Sequence, residues 1–411
     1  MNISLPQEII QTRKISFAGA KLISRLLFFN MFLVVFGYGL AVLTGGASVG
    51  PMAIFKLLVI AISYFFTIKH KGKAKLSSVY ESGRTPIFFG IFVLLSVFWS
   101  NSFGRSLQNA IVLVFPMIYI YTSVFIIVRS YGMRKTLYLF HKMLIWTFCI
   151  PLVAYILTTP SLGDSNIYGY EEGQAFVSNH YGWASAILIL ALLGIYNRIR
   201  KNTLYTFIGI IAMLLSFYLI LISASRSSMV SLALGLGIFI VSYRGAGKLL
   251  KISMVVVGIL AISYLLTDPE SGLNLALERT ETQQGDGERR WWSTDVMLDL
   301  FEQNPQLWLT GVGFFDHTEL IESGVRLKGY HNSYWEVLFG LGAPLFLVFS
   351  SFMILRPIKN YIKYFSRWIL LLPPFLLIPF FESNITGGQF LFFPWFTFMF
   401  ILNVKEKFWK Y

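Results

Sequence analysis

The stretch 107–128, which reads LQNAIVLVFPMIYIYTSVFIIV, decides the fold class. It contains no charged side chain, and Arg105 and Arg129 stand just outside its two ends. A helix of about 20 apolar residues crosses the hydrocarbon core of a bilayer and satisfies its own backbone hydrogen bonds there. The stretch therefore predicts a transmembrane helix.

The composition extends this interpretation to all 411 residues. An ordinary soluble domain is about 25% charged, whereas this chain is 13% charged and 55% hydrophobic. Such a composition excludes a conventional soluble enzyme and a disordered chain. The single cysteine, Cys149, lies in an apolar run, which excludes a disulfide framework and a cysteine metal cage.

Similar apolar runs recur along the chain and predict an all-α, polytopic membrane protein with about 12 transmembrane helices. Their approximate limits are 24–43, 51–68, 86–102, 107–128, 136–158, 181–197, 203–223, 228–242, 248–267, 332–355, 368–381 and 388–404. The chain then divides into helices 1–9 (1–267), a small helical loop subdomain (268–331) and helices 10–12 (332–411). The first run has no small-residue cleavage site, so we do not expect a cleaved signal peptide.

Basic residues cluster in alternate loops and so predict the orientation. Most of the 34 Lys and Arg residues lie before the first run, after the last, or in every second loop, such as 69–75 and 356–367. By the positive-inside rule these segments and both termini lie in the cytoplasm, and the loop 268–331 lies outside. The net charge of +14 is then a topology signal with membrane lipids as its partner, and no nucleic-acid partner is predicted.

The outer loop 268–331 has an organisation of its own. Apolar residues recur at helical spacing and polar residues take the other side, which predicts an amphipathic helix that lies on the membrane surface or caps the bundle. The apolar set is Trp292, Val296, Met297, Leu300 and Phe301, and the polar set is Thr294, Asp295, Asp299, Glu302 and Gln303. We expect Pro305 to end this helix, Gly311-Val312-Gly313 to make a turn, and a second short helix over 316–323.

The strongest candidate for chemistry is His331-Asn332, at the start of the run 332–355. An imidazole in this position could take a proton from a hydroxyl near neutral pH. The alternative is structural, because a histidine at a helix start can cap the helix or contact lipid headgroups. The residues alone leave both interpretations open.

Arginines at the same predicted membrane face are candidate anion-binding residues. Arg226 lies in the abrupt outer turn 223–228, where its planar set of donors suits phosphate oxygens. Arg289 and Arg290 precede Trp292 and could hold an anionic substrate. The alternatives are an arginine that reaches lipid phosphate and a solvated charge run beside an aromatic anchor. Weaker candidates at this face are Arg105, Lys56 and His180.

Other chemistries find little support in the sequence. Zinc needs three or four clustered ligands, whereas His180, His317 and His331 are scattered, so no metal site is predicted. The sequence contains no Walker loop, no dinucleotide fingerprint and no Gly-x-Ser-x-Gly elbow. No cofactor is therefore predicted.

In their order, these motifs resemble the bacterial O-antigen ligase and O-antigen/capsule polysaccharide polymerase family. Its members carry a Ser-Arg turn, then a long periplasmic loop with an Arg ahead of a Trp-containing helix, a Pro, a Gly-x-Gly turn and a His-Asn pair. The matching residues are Ser225-Arg226, Arg289 or Arg290 with Trp292, Pro305, Gly311-Val312-Gly313, His331-Asn332 and Gly342. The resemblance covers 220–345. It departs at Leu345, where the family often has another glycine, and leaves open which of Arg289 and Arg290 is the functional arginine.

The resemblance implies a metal-independent, inverting glycosyl transfer at the periplasmic face of the bacterial inner membrane. The donor would be a glycan on undecaprenyl pyrophosphate, and the acceptor would be a sugar hydroxyl. The expected roles are His331 as catalytic residue, Arg226, Arg289, Arg290 and Arg105 for the pyrophosphate, and Asn332, His180 and Trp292 for substrate binding. Other membrane proteins of polysaccharide assembly are further expected partners.

Two functional alternatives stay open. A polymerase, which adds the chain to another lipid-linked repeat, is favoured because the loop 268–331 is modest in size for gripping a bulky core oligosaccharide. An O-antigen ligase would instead transfer the glycan to lipid A core. A polysaccharide flippase or transporter is the alternative of another class, and it would place charged residues around a pathway at mid-membrane.

Overall fold

The computed structural model describes residues 17–43, 49–70, 76–158, 178–223, 225–242, 284–316, 318, 332–363, 370–381 and 391–404. Regular structure in these residues is helical, and no strand occurs among them. The predicted all-α fold class is therefore confirmed for this part of the chain.

The helices follow one another in the order that the apolar runs predict. They are α1 (Phe17–Leu43), α2 (Val49–His70), α3 (Leu76–Leu95), α4 (Phe103–Tyr131), α5 (Met133–Thr158), α6 (Ser178–Gly194), α7 (Tyr196–Ile199), α8 (Thr203–Ile222), α9 (Arg226–Ser242), α10 (Gln284–Gln303), α11 (Leu307–Thr310), α12 (Ser333–Ser350), α13 (Arg356–Lys363), α14 (Leu372–Phe381) and α15 (Phe392–Asn403). A 3₁₀ turn, Ser96–Trp99, follows α3, and a π-helical turn, Ser351–Leu355, joins α12 to α13. The predicted run 248–267 and most of the predicted short helix 316–323 lie outside the described residues.

Five helices of the described residues are long and apolar enough to cross a membrane. The qualifying segments are Gly19–Gly37, Phe103–Tyr131, Met133–Ala154, Thr203–Leu221 and Ser333–Asn360. Shorter apolar helices accompany them at Arg84–Trp99, His180–Gly194, Ser227–Val241 and Phe392–Asn403. These helices support a multi-pass membrane protein, while the total of about 12 spans stays a prediction.

Helices α4 and α15 form the centre of the bundle. Every residue of α15 from Phe392 to Leu402 is buried, as is typical of a helix that is apolar on all sides. Residues 119–128 of α4 are likewise buried, and the rings of Tyr121 and Phe400 meet edge to face with centroids 5.3 Å apart. Around this centre, α1 packs against α2, α4 and α5, and α6 packs against α5, α8 and α9.

Helix α14 connects the helices that carry the candidate motifs. It packs against α6, α9 and α12. The hydroxyl of Tyr334, in the first turn of α12, donates a 2.9 Å hydrogen bond to the carbonyl oxygen of Leu376 in α14. The start of α12 therefore lies against the same helix that contacts α6 and α9.

Candidate functional site

The start of α12 is fixed by the side chain of Asn332. Its Oδ1 accepts hydrogen bonds from the backbone N–H groups of Tyr334 (2.8 Å) and Trp335 (3.2 Å). Asparagine is among the preferred helix N-caps because its side chain can satisfy these otherwise unpaired donors. Asn332 is 6% exposed, so the cap is shielded from solvent. His331, the residue before the cap, lies outside the described residues.

Two glycine motifs of the resemblance form one structural unit. Gly342 interrupts α12 with φ +76° and ψ 169°, and Pro344, two residues later, has no N–H to give to the carbonyl of Gly340. That carbonyl accepts a 3.0 Å hydrogen bond from the backbone N–H of Gly313 instead. The carbonyl of Phe339 likewise accepts a 2.9 Å bond from the N–H of Val312. The Gly-Val-Gly turn is thereby fastened to the break in α12.

Glycine is required in this unit by conformation and by space. Gly311 has φ +69° and Gly313 has φ +105°, which are values that other residues rarely adopt. A Cβ on Gly311 would come within 2.5 Å of the backbone of Gly340, and one on Gly342 within 2.6 Å of the carbonyl oxygen of Leu309. Because the neighbouring atoms belong to the backbone, they cannot move aside as a flexible side chain would.

Helix α10 docks onto the N-terminal half of α12 through aromatic contacts. Phe301 is fully buried, and its ring meets that of Phe339 with centroids 5.2 Å apart and that of Trp308 at the same distance. Trp335 in turn stacks on Phe339, with the ring centroids 5.2 Å apart and an angle of 13° between the ring planes. Of the two placements predicted for the amphipathic helix, the described residues show packing against the bundle.

Among the described side chains, the predicted faces of α10 agree with the structure except at one position, and Trp292 of the apolar set lies outside them. Met297 and Phe301 are buried, and Asp295, Asp299, Glu302 and Gln303 are exposed. Thr294, predicted on the polar side, is only 4% exposed. The assignment was wrong because Thr294 precedes Met297 by three residues and Phe301 by seven, which places all three on one helical face.

The Ser-Arg turn between α8 and α9 is held by the start of α6. The indole N–H of Trp183 donates a 2.9 Å hydrogen bond to Oγ of Ser227, and Oγ of Ser225 lies 2.7 Å from Oγ of Ser228. These serines are buried. Gly182 allows the close approach, since a Cβ there would lie 2.7 Å from Cβ of Ser225.

This contact brings two of the candidate residues to the same place. His180 is half-buried, and its ring meets that of Trp183 edge to face at 5.2 Å. Arg226 is the first residue of α9, directly before Ser227, although its side chain lies outside the described part of the structure. The start of α6, which carries His180, therefore lies against the turn that precedes and includes the first residues of α9.

Asp316, which follows the Gly-Val-Gly turn, connects this segment of the chain to the turn between α3 and α4. Its Oδ2 accepts from the hydroxyl of Ser100 (2.8 Å) and the N–H of Ser102 (3.3 Å). Its Oδ1 accepts from the hydroxyl of Ser102 (3.1 Å), the N–H of Thr318 (3.0 Å) and the hydroxyl of Thr318 (2.6 Å). Arg105 is exposed in the first turn of α4, three residues after Ser102.

The electrostatic state of Asp316 follows from these contacts. Burial raises the pKa of the carboxyl, but the hydrogen bonds from Thr318, Ser100 and Ser102 lower it by more, so the pKa lies below its ordinary value of 3.8. Asp316 is therefore ionised at neutral pH. Its negative charge lies beside the first turn of α4, where the helix dipole favours an anion.

The predicted site residues are thus distributed over three parts of the molecule. Asn332 caps α12, His180 lies beside the Ser-Arg turn, and Arg105 lies beside the Asp316 cluster. Arg289, Arg290 and Trp292 belong to α10, but their side chains, like all of His331, lie outside the described part. Their predicted contacts with substrate, and the prediction that no metal takes part, therefore remain predictions.

Sequence reasoning missed Trp183 and Asp316. Asp316 carried a local signal, because an aspartate whose side chain bonds the backbone two residues later forms an Asx turn, and Thr318 stands at that position. Trp183 carried none, since a tryptophan in an apolar helix start is indistinguishable from an ordinary core residue. Its partner Ser227 lies 44 positions further along the chain.

Comparison with known families bears on the second half of the chain. Residues 211–350 match a protein-family model described as O-antigen ligase. The matched range includes Arg226, Arg289, Arg290 and His331, whereas Arg105 and His180 lie before it. No curated protein matches the chain. The match confirms, for this part of the chain, the resemblance seen in the sequence.

Proposed function

We propose that this protein transfers a glycan from undecaprenyl pyrophosphate to a sugar hydroxyl at the periplasmic face of the bacterial inner membrane, as a polysaccharide polymerase. The family match over 211–350 is the observation that carries the proposal. The hydrogen bonds from Val312 and Gly313 to Phe339 and Gly340 support it, because they fasten the long loop to the helix that begins beside His331.

The proposed reaction needs a base for the acceptor and positive charge for the leaving group. The acceptor oxygen attacks the anomeric carbon of the donor sugar, and the bond from that carbon to the pyrophosphate oxygen breaks. The hydroxyl proton passes to the imidazole of His331. The electron pair leaves with undecaprenyl pyrophosphate, whose charge Arg226 and Arg289 or Arg290 stabilise. Attack from the face opposite the pyrophosphate inverts the anomeric configuration.

This chemistry requires neither a metal nor a nucleotide cofactor, because the pyrophosphate bond already activates the sugar. Asn332, His180 and Trp292 are proposed to contact the substrate, and Arg105 is proposed to assist with the pyrophosphate. The alternation of basic loops supports the proposed topology, in which about 12 helices span the membrane and both termini are cytoplasmic. In that topology Arg105, Arg226 and His331 share the periplasmic side.

Transfer assays on site variants test the proposal. Membrane vesicles containing His331→Ala should lose transfer by about 100-fold or more, and Arg226→Ala by at least about tenfold. His70→Ala is the matched control for the histidine, because His70 ends α2 in a segment predicted to be cytoplasmic. Full transfer by both His331→Ala and Arg226→Ala would refute the assignment of the site.

An O-antigen ligase is the second candidate, and the description of the matched family favours it. Purified protein given a defined lipid-linked donor and two rival acceptors separates the two functions. A polymerase uses a second lipid-linked repeat, whereas a ligase uses lipid A core. In a deletion strain, single-repeat product indicates a lost polymerase, and full-length chains that remain on the carrier lipid indicate a lost ligase.

A flippase or transporter is the weaker candidate. Such a protein places ionisable groups around a pathway through the membrane. Among the described residues, the buried carboxylates are Asp316, in the outer loop, and Glu336, in the first turn of α12. Transfer in detergent solution, where no compartment exists, would separate an enzyme from a transporter.

A further inference from the structure

We infer that Asp316 is a positioning residue for Arg105. Its carboxylate ties the start of α4 to the outer loop, and the outer loop is tied to α12. The inference rests on the proposed function, since it assigns Arg105 to the same substrate site as the residues of the matched family region. It joins a residue from the first third of the chain to the loop that carries the motifs of the resemblance.

The hydrogen bonds at the start of α4 support this role. Ser102 is the N-cap residue of α4, yet its side chain makes no capping bond to the helix. A serine at this position ordinarily accepts a bond from the second or third N–H of the helix. Here both the hydroxyl and the N–H of Ser102 donate to Asp316. Ser102 therefore binds the carboxylate of Asp316 in the loop, and its side chain does not cap α4.

Arg105 lies between two anchored serines. Ser102 is bound to Asp316, and Ser106 lies 2.6 Å, oxygen to oxygen, from Ser100, which also donates to Asp316. The backbone N–H of Ser106 further donates to the carbonyl of Ser102 at 3.0 Å. The backbone of Arg105 is thus fixed on both sides, while its side chain is exposed and able to meet a ligand.

On the loop side, the connection is fixed by the close contact of Gly313 with Ser100 and by a turn that ends at Asp316. Gly313 contacts Ser100 so closely that an added Cβ would lie 2.6 Å from Cβ of Ser100. The N–H of Asp316 donates to the carbonyl of Gly313 at 3.2 Å and closes a turn in which Phe315 has φ +59°. A non-glycine residue in this region is strained, and the bonds of Asp316 offset that strain.

Two further bonds run beside the Asp316 cluster. The indole N–H of Trp99 donates to the carbonyl of Thr310 at 3.2 Å, and the N–H of Phe314 donates to Oγ of Ser96 at 3.2 Å. Both join the loop to the same turn between α3 and α4. Loss of Asp316 should therefore loosen the start of α4 locally while the remaining contacts keep the loop in place.

The test uses the full-length protein in detergent with a defined lipid-linked donor. Asp316→Asn should raise the donor KM by about tenfold, which is the effect expected when Arg105 loses its proposed hydrogen bond to the charged pyrophosphate. We expect kcat to change by less than about twofold. Asp299→Asn is the matched control, since Asp299 is exposed on α10, and it should leave both constants unchanged.

A double-mutant cycle with Arg105 separates positioning from general stability. If Asp316 acts through Arg105, Asp316→Asn should have no further effect on the donor KM in an Arg105→Gln background. Equal losses in both backgrounds would show a merely structural role and overturn the inference. Ser102→Ala provides a second route to the same result, because it removes one donor to Asp316 from a half-buried position. It should raise the donor KM and be non-additive with Asp316→Asn.

The outcomes also distinguish the inference from the proposed function. If His331→Ala abolishes transfer while Asp316→Asn and Ser102→Ala keep the parental donor KM, the proposed function stands and the inference fails. If His331→Ala and Arg226→Ala both transfer normally, the proposed function itself fails. If Asp316→Asn does not accumulate in membranes, a normal donor KM in Ser102→Ala is sufficient to overturn the inference.

Discussion

The backbone N–H of Gly313 donates a hydrogen bond to the carbonyl oxygen of Gly340. Within α12 this carbonyl would otherwise bond to residue 344, but Pro344 has no N–H to donate. A transmembrane helix ordinarily satisfies its backbone groups internally. In α12 the break at Gly342 leaves carbonyl acceptors that the backbone N–H groups of the Gly-Val-Gly turn satisfy. The helix and the loop are therefore not independent, and each determines the position of the other.

Alanine at Gly311 should destabilise the folded protein. The substitution combines a left-handed φ of +69° with a Cβ that would lie 2.5 Å from the backbone of Gly340. We expect a loss of about 1–3 kcal/mol or more of stability, seen as a lower melting temperature and lower yield in detergent. Gly237→Ala is the control, because nothing lies within 4 Å of a Cβ there and α9 is helical at this point. Equal melting temperatures for the two variants would contradict the proposed attachment of the Gly-Val-Gly turn to the break in α12.

Trp183→Phe should lower the melting temperature more than Trp395→Phe does. Both tryptophans are buried, but only the indole N–H of Trp183 donates to a described acceptor, Oγ of Ser227. The N–H of Trp395 meets no acceptor in the part of the chain that the structure describes. Both changes remove similar volume, so their difference in melting temperature reports the hydrogen bond, worth about 1 kcal/mol.

A second variant checks that assignment. Ser227→Ala should lower the melting temperature to a similar degree, and combining it with Trp183→Phe should add little. Full additivity of the two changes would show that Trp183 and Ser227 stabilise the protein independently.

Substitutions at Asn332 should separate its capping role from substrate binding. Asn332→Ala removes the acceptor for two backbone N–H groups and should cost about 1 kcal/mol of stability. Asn332→Asp keeps an acceptor oxygen in the same position and should retain the melting temperature. If Asn332→Asp is stable but inactive in glycan transfer, the side chain contacts substrate as well. A stable Asn332→Ala would disprove the cap.

The contribution of Asp316 to stability should depend on acid pH. Its pKa in the folded protein lies below the ordinary 3.8, so the carboxylate stabilises the fold above that pH. As the pH falls from 3.8 through the folded pKa, the carboxylate is protonated and the contribution is lost. The difference in melting temperature between the parent protein and Asp316→Asn should therefore be largest near neutral pH and shrink on acidification. A difference that grows in acid would contradict this sign.

Much of the fold was predictable because each helix is encoded locally. The run 107–128 lies within α4, and the apolar spacing of Met297 and Phe301 identified the buried face of α10. Pro305 was expected to end α10, and the helix ends two residues earlier at Gln303. The break within α12 was not predicted, because Gly342 and Pro344 are tolerated inside many membrane helices and interrupt this one only where another segment satisfies the freed carbonyls.

The candidate site was predictable only in part, because its residue types can be read locally whereas the contacts that position them come from distant segments. The residue types of Arg226, His331 and Asn332 indicated anion binding and proton transfer, and the family match covers all three. Their supporting contacts could not be predicted, since Trp183 and Asp316 make bonds to residues 44 and 216 positions away. No local pattern in the sequence specifies such a pair.

The sequence by itself determined that the chain is helical, apolar and suited to a membrane, because hydrophobicity and charge along a helix act residue by residue. It also presented motifs whose order resembles that of the O-antigen ligase and polymerase family, and residues 211–350 match a family model described as O-antigen ligase. Only the tertiary structure decided that the Gly-Val-Gly turn bonds to the carbonyl groups at the break in α12, and that Asp316 joins the loop to the start of α4. These are hydrogen bonds between distant segments, and they exist only after packing has removed the water that would otherwise satisfy the same groups.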